Sequence, residues 1–149
     1  MLKNVIFESQ KVAESRPGWS NWSVISITST NSTPANIQSG WHGLLRLVFD
    51  DVDVEIEGGE YLPISEVQAQ ELVDFVIREV ESGEVTGILV HCGAGISRSA
   101  AVARWISKSY ALPFHDRYQN DNRLVYSRLL YVTEGRLLKS WASTHEKSE

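Results

Sequence analysis

Residues 89–100 read LVHCGAGISRSA and contain the only cysteine in a chain of 149 residues. Just before Cys92, residues 87–91, GILVH, form the continuous apolar run of a strand buried on both faces of a parallel sheet. Beyond the loop, residues 99–110, SAAVARWISKSY, hold strong helix formers and no proline or glycine, with an apolar set at Ala100, Val102, Ala103 and Ile106. Strand, glycine-containing loop and helix in that order predict an α/β fold: a single domain with a central, mainly parallel sheet flanked by helices.

A loop of small residues between a buried strand and a helix start turns its backbone N–H groups inward, and the helix end adds partial positive charge. Such a loop binds an anion. A cysteine at its first position feels the same field, which lowers the thiol pKa below its free value of about 8.5 and favours thiolate at neutral pH. Arg98 adds a planar fork of donors suited to two oxygens of one phosphate. Burial as a small apolar residue is the ordinary fate of a lone cysteine, and a surface position that of an arginine. However, arginine at a helix start opposes the helix dipole unless it serves an anion.

The rest of the chain supplies matching elements. Residues 23–28, SVISIT, and 44–49, LLRLVF, read as strands. Six carboxylates fall in residues 50–60, DDVDVEIEGGE, a loop or strand end with one acidic face. A calcium loop beginning at Asp51 would need glycine at Ile56 and a carboxylate at Leu62, so that reading fails. Ser65 with Gln68 forms a capping-box pattern that opens a helix over 65–82, its apolar positions Val67, Leu72, Val73, Val76, Ile77 and Val80, with Gly83 as its stop. Leu112-Pro113 breaks the helix that follows the cysteine loop. A last helix over 122–141 buries Leu124, Val125, Leu129, Leu130, Leu137 and Leu138, and the tail from about residue 143 is expected to fray. Of Trp19, Trp22, Trp41, Trp105 and Trp141, most are expected in the core; Trp41 stays a site candidate because it lies near the acidic loop.

Composition narrows the function classes. One cysteine excludes an internal disulfide framework and a multi-cysteine zinc site. A net charge of −5 with no basic stripe argues against nucleic acid as partner. No segment reads as a signal peptide or bilayer span, so a cytoplasmic protein with no membrane partner is expected. No metal and no cofactor is implied.

His91-Cys92-Gly93-Ala94-Gly95-Ile96-Ser97-Arg98-Ser99 resembles the H-C-x-x-G-x-x-R-S/T signature of the cysteine-dependent protein tyrosine phosphatase superfamily. Chance would give this set about once in 10⁵ cysteines. The short chain is similar to the compact dual-specificity branch, particularly its small bacterial and phage-like members. The resemblance implies Cys92 as nucleophile, Arg98 and the amides of Gly93, Ala94, Gly95, Ile96, Ser97 and Arg98 as the phosphate cradle, and Ser99 as the group that helps the thiolate leave. His91 would orient the loop from behind. An aspartate would protonate the leaving oxygen, but the family's usual spacing falls near Glu60. The aspartates after LLRLVF match the acid loop better: Asp51 first, then Asp50, then Asp53, with Glu57 and Glu60 next. A solvated loop carboxylate is the competing reading for each. The implied activity is phosphomonoester hydrolysis on a phosphorylated protein or peptide, phosphotyrosine first. A loop without lysine beside an acidic stretch disfavours highly anionic substrates. Two rivals stand: a pseudophosphatase that only holds a phosphorylated partner, and an arsenate reductase, which ordinarily recruits further cysteines.

Overall fold

The computed structural model describes residues 1–146, without the side chains of Ser140 and residues 144–146. Its centre is the strand before the cysteine. In chain order the elements are β1 (Asn4–Ser9), α1 (Gln10–Ser15), β2 (Trp22–Thr28), β3 (Gly43–Val48), α2 (Glu66–Glu81), β4 (Gly87–Cys92), α3 (Arg98–Ser109) and α4 (Arg123–Glu146). The sheet order is β1-β4-β2-β3, and every neighbouring pair is parallel. All six residues of β4 are buried, as its unbroken apolar run requires of a strand with a neighbour on each side. The α/β fold with a parallel sheet flanked by helices is therefore present.

Parallel pairing brings every strand's C-terminal end to one edge. Ser9 lies beside Cys92, and Ser26 beside His91. The loops after β2, β3 and β4 consequently meet at that edge, where open α/β sheets bind their ligands.

The sequence reading missed β1 and α1. Val5, Ile6 and Phe7 are the only apolar run in β1, and none of the three is fully buried. An edge strand covered on one side has neither the continuous run of a central strand nor a clean alternation. Its end is marked locally: Ser9 Oγ accepts from the Val12 amide at 3.3 Å and caps α1.

The capping box at α2 is complete. Ser65 Oγ accepts from the Gln68 amide at 3.1 Å, and the Ser65 amide donates to Gln68 Oε1 at 3.0 Å. Gly83 follows the helix with φ +75, a left-handed stop. Leu72, Val73 and Val76 are buried with Ala69 and Phe75, but Val67 is exposed, because the first turn directs it away from the core. In α3 the whole expected set, Ala100, Val102, Ala103 and Ile106, is buried. Along α4, Val125, Leu129 and Val132 are buried, whereas Leu137 and Leu138 are exposed, against expectation. The reason is length: 24 residues make about 36 Å of helix, longer than either helix it packs on, α2 with 16 residues and about 24 Å and α3 with 12 residues and about 18 Å. Helix α4 itself runs to Glu146; the rest of the tail expected to fray, residues 147–149, lies outside the described residues.

Trp41 is not at the site. It joins Trp19 and Trp22, with ring centroids 5.3 Å apart in each pair that includes Trp19, and packs on Ala13, Val24 and Leu89. That cluster sits where β2 and β4 begin: a Cβ on Gly87 would lie 2.1 Å from the Trp22 ring. The cysteine ends β4, about 16 Å of strand away. Among the described residues no helix is long and apolar enough to cross a membrane.

Candidate active site

The cysteine loop leaves β4 and enters α3 within five residues. Gly95 makes the turn, with φ +73, and a Cβ there would lie 2.3 Å from the Ser9 amide nitrogen. No side chain fits, so the loop is pressed against the end of β1. The Gln10 amide completes that junction by donating to the Gly93 carbonyl at 3.2 Å.

Cys92 is buried, with its Sγ 3.1 Å from Ser99 Oγ. Burial pushes the thiol up, but the Ser99 hydroxyl, the Ser99 and Gly95 amides and the Arg98 charge together outweigh it and hold Cys92 below the ordinary thiol range. The field read from the sequence is therefore built from identifiable donors. His91 stands directly behind. Burial, opposed by the Cys92 carbonyl, keeps its imidazole below the usual pKa and hence neutral. Nδ1 lies 3.4 Å from the Cys92 carbonyl, which can only accept, so Nδ1 carries the proton and Nε2 accepts from Ser26 Oγ at 2.6 Å. The ring thus ties β2 to the base of the loop.

Arg98 is 7 % exposed although it is the first residue of α3. Its Nη1 donates to Ser29 Oγ at 2.9 Å and to the Phe49 carbonyl at 2.8 Å. These bonds lock the guanidinium plane. Nε is buried without a hydrogen-bond partner among the described residues, and Nη2 faces Gly93, 3.5 Å from where a Cβ would stand. One edge of the guanidinium is fixed by protein and the other is turned to the loop, as two oxygens of one phosphoryl group would require.

The acidic candidates separate by environment. Asp50 is buried and closes the neck of the loop: it accepts from the Thr30 amide at 3.0 Å, from the Thr30 hydroxyl at 2.8 and 2.9 Å, and from the Leu62 amide at 2.9 Å. Burial raises its carboxyl, but the Leu62 and Thr30 bonds and the Arg98 charge hold it below the usual range, so it is ionised and fully engaged. Asp51 is exposed and reaches the cysteine loop, its Oδ1 accepting from Ser97 Oγ at 2.7 Å and from Asn122 Nδ2 at 2.9 Å. Asp53 is exposed and lines a cavity of about 340 Å³ beside Ser97, Asp51 and Asn122. Glu57 is exposed on the same loop, and Glu60 lines a second cavity, of about 420 Å³, on the Asp50 side. Among the described residues no three His, Cys, Asp or Glu side chains are placed to hold a metal ion.

Two residues at this edge escaped the sequence reading. Tyr118, between α3 and α4, donates its hydroxyl to the Ile96 carbonyl and packs edge-on against Phe7 at 5.3 Å, bracing the loop from outside. Asn122, read only as a helix start, is buried and bonds to the acid loop and to the Ser97 carbonyl.

Solved structures resemble this fold, two of them as follows. Human tyrosine phosphatase-like serine/threonine/tyrosine-interacting protein is 23% identical over 77% of this chain and 78% of its own, with a TM-score of 0.51. Human DUSP28 is 17% identical over 91% of this chain and 94% of its own, with a TM-score of 0.56. The fold is dual-specificity-phosphatase-like. At these identities the likeness is one of fold, and no protein-family model and no curated protein matches the sequence. Within the dual-specificity-phosphatase-like fold the cysteine loop, Arg98 and Asp51 converge on the C-terminal edge of the parallel sheet.

Proposed function

We propose that the chain is a phosphomonoester hydrolase working through a cysteinyl-phosphate intermediate, a compact dual-specificity phosphatase of the small bacterial and phage-like kind. The observation that carries the reading is the buried, unpartnered Nε of Arg98 on a guanidinium locked beside a thiol of lowered pKa. Leaving a buried charged donor unsatisfied is costly unless an anion completes it.

The chemistry follows from the placement. Loop amides from Gly93 to Arg98 and the Arg98 fork hold the phosphoryl oxygens while Cys92 Sγ attacks phosphorus. The S–P bond forms as the P–O bond to the leaving group breaks, and Asp51 gives that oxygen a proton. Water then attacks phosphorus and passes a proton to Asp51. The S–P bond breaks, its electron pair returns to Sγ with the Ser99 hydroxyl in support, and inorganic phosphate departs. A phosphorylated protein or peptide, phosphotyrosine first, is the proposed substrate, in the reducing cytoplasm where a lone thiolate survives. The carboxylates on both sides of Asp51 disfavour polyphosphorylated ligands.

The binding-module reading draws on the neighbour whose name describes it as phosphatase-like and interacting. One experiment separates the two. On mixing with an aryl phosphate, a hydrolase releases phenol, and acid quenching followed by mass spectrometry finds a phosphoryl group on the Cys92 peptide. Phosphate binding without product or adduct would favour the module. Arg98→Lys is expected to lower kcat/KM about 10²–10³-fold, the loss typical of removing one transition-state donor, because a point ammonium cannot reproduce the fork. Wild-type kcat/KM in that variant would make Arg98 structural.

A further inference from the structure

Asn122 is 4 % exposed at the start of α4, and its bonds divide between two tasks. Its Oδ1 accepts from the Val125 amide at 3.0 Å and caps the helix. Its Nδ2 donates to Asp51 Oδ1 at 2.9 Å and to the Val52 carbonyl at 3.1 Å. The orientation of the amide is dictated by its surroundings: the Val125 N–H needs an oxygen, which leaves both N–H donors for the acid loop. The Asn122 backbone N–H meanwhile donates to the Ser97 carbonyl at 3.1 Å, so one residue joins acid loop, cysteine loop and α4.

We infer that Asn122 is a positioning residue for the acid, holding Asp51 by Oδ1 so that Oδ2 is the oxygen that carries the proton. This rests on the hydrolase reading above. Ser97 Oγ also donates to Oδ1, at 2.7 Å. Two donors converging on one oxygen exclude an acidic hydrogen from it, since hydrogen would then face hydrogen, and the proton resides on the other oxygen. The clamp matters because the loop is otherwise loosely held. Residues 53–62 are exposed, and beyond its neck at Asp50 and Leu62 an ion pair of Glu55 with Arg128 at 2.6 Å ties the loop to the body among the described residues. A proton donor misplaced by about 1 Å loses much of its effect.

Capping and positioning can be separated by two variants. Asn122→Ser keeps a capping oxygen but cannot span to Asp51; Asn122→Ala removes both functions. Both are expected to lower kcat on phenyl phosphate about 10–10²-fold, part of what a general acid supplies. Loss on a nitrophenyl phosphate, whose leaving group departs unaided, should stay within about 3-fold. Neither variant should cost anything further in an Asp51→Asn background, because the two residues act as one unit. Asn122→Ser should recover thermal stability relative to Asn122→Ala without recovering turnover. Equal losses on both substrates, a loss persisting in the Asp51→Asn background, or restoration of turnover by serine would each overturn the inference and leave the hydrolase reading standing. A wild-type protein that hydrolyses neither aryl phosphate would overturn both.

Discussion

Cys92→Ser is expected to lower turnover of an aryl phosphate by at least about 10⁴-fold, the scale on which losing a covalent nucleophile is felt, while inorganic phosphate still binds. The two halves have different physical origins. In the proposed mechanism turnover depends on a thiolate that the Ser99 hydroxyl, the Ser99 and Gly95 amides and the Arg98 charge stabilise against burial. A hydroxyl in the same place meets the same donors, but its intrinsic acidity is far too low for them to ionise it, and the attacking electron pair is lost. Anion binding depends on the loop amides and on the Arg98 fork, which is locked from behind by Ser29 and the Phe49 carbonyl. None of those groups is touched by exchanging sulfur for oxygen. Steady-state kinetics and titration calorimetry with phosphate check the two halves separately. Turnover within tenfold of wild type would sink the covalent mechanism, and loss of phosphate affinity would mean that the thiol shapes the loop rather than reacting.

The cysteine loop was legible because its chemistry is compressed into consecutive residues. Strand, glycine turn, arginine and serine must follow one another at fixed spacing for the amides to converge on Sγ, so linear order carries the geometry. Helix α2 was legible for a similar reason, since Ser65 and Gln68 announce its start within a single turn. Asn122 shows where such reading ends. Its side-chain partner Asp51 lies 71 positions away, and nothing in the local sequence tells a helix cap from a clamp on another loop. Trp41 shows a different limit. Its few residues' separation from the acidic loop in sequence suggested proximity, but β3 lies between them and delivers the two to opposite edges of the sheet. Strand β1 failed because an edge strand need bury only part of its length. Its role as the wall against which Gly95 closes is a tertiary fact.

The choice among the aspartates is where structure adds most to the sequence, and the leaving group provides the test. Asp50 is held below the usual carboxyl range with its oxygens spent on Thr30 and Leu62, so it cannot donate a proton without dismantling the neck of the acid loop. Asp51 stands at the rim of the cysteine loop with Oδ1 bonded and Oδ2 making no hydrogen bond among the described residues. Protonation matters most when the departing oxygen is basic, as in tyrosine or phenol, and little when a nitrophenolate leaves as a stable anion. A positioned general acid contributes on the order of 10²–10⁴-fold, so Asp51→Asn should lower kcat on phenyl phosphate within that range and leave nitrophenyl phosphate nearly unaffected. The amide can still accept from Ser97 and Asn122, so loop geometry is retained and the loss reports the proton. Asp53→Asn should behave as a surface change, whereas Asp50→Asn should lower thermal stability and depress both substrates together. If Asp51→Asn instead treats the two leaving groups alike, the acid is elsewhere, with Glu57 and Glu60 the carboxylates to replace next.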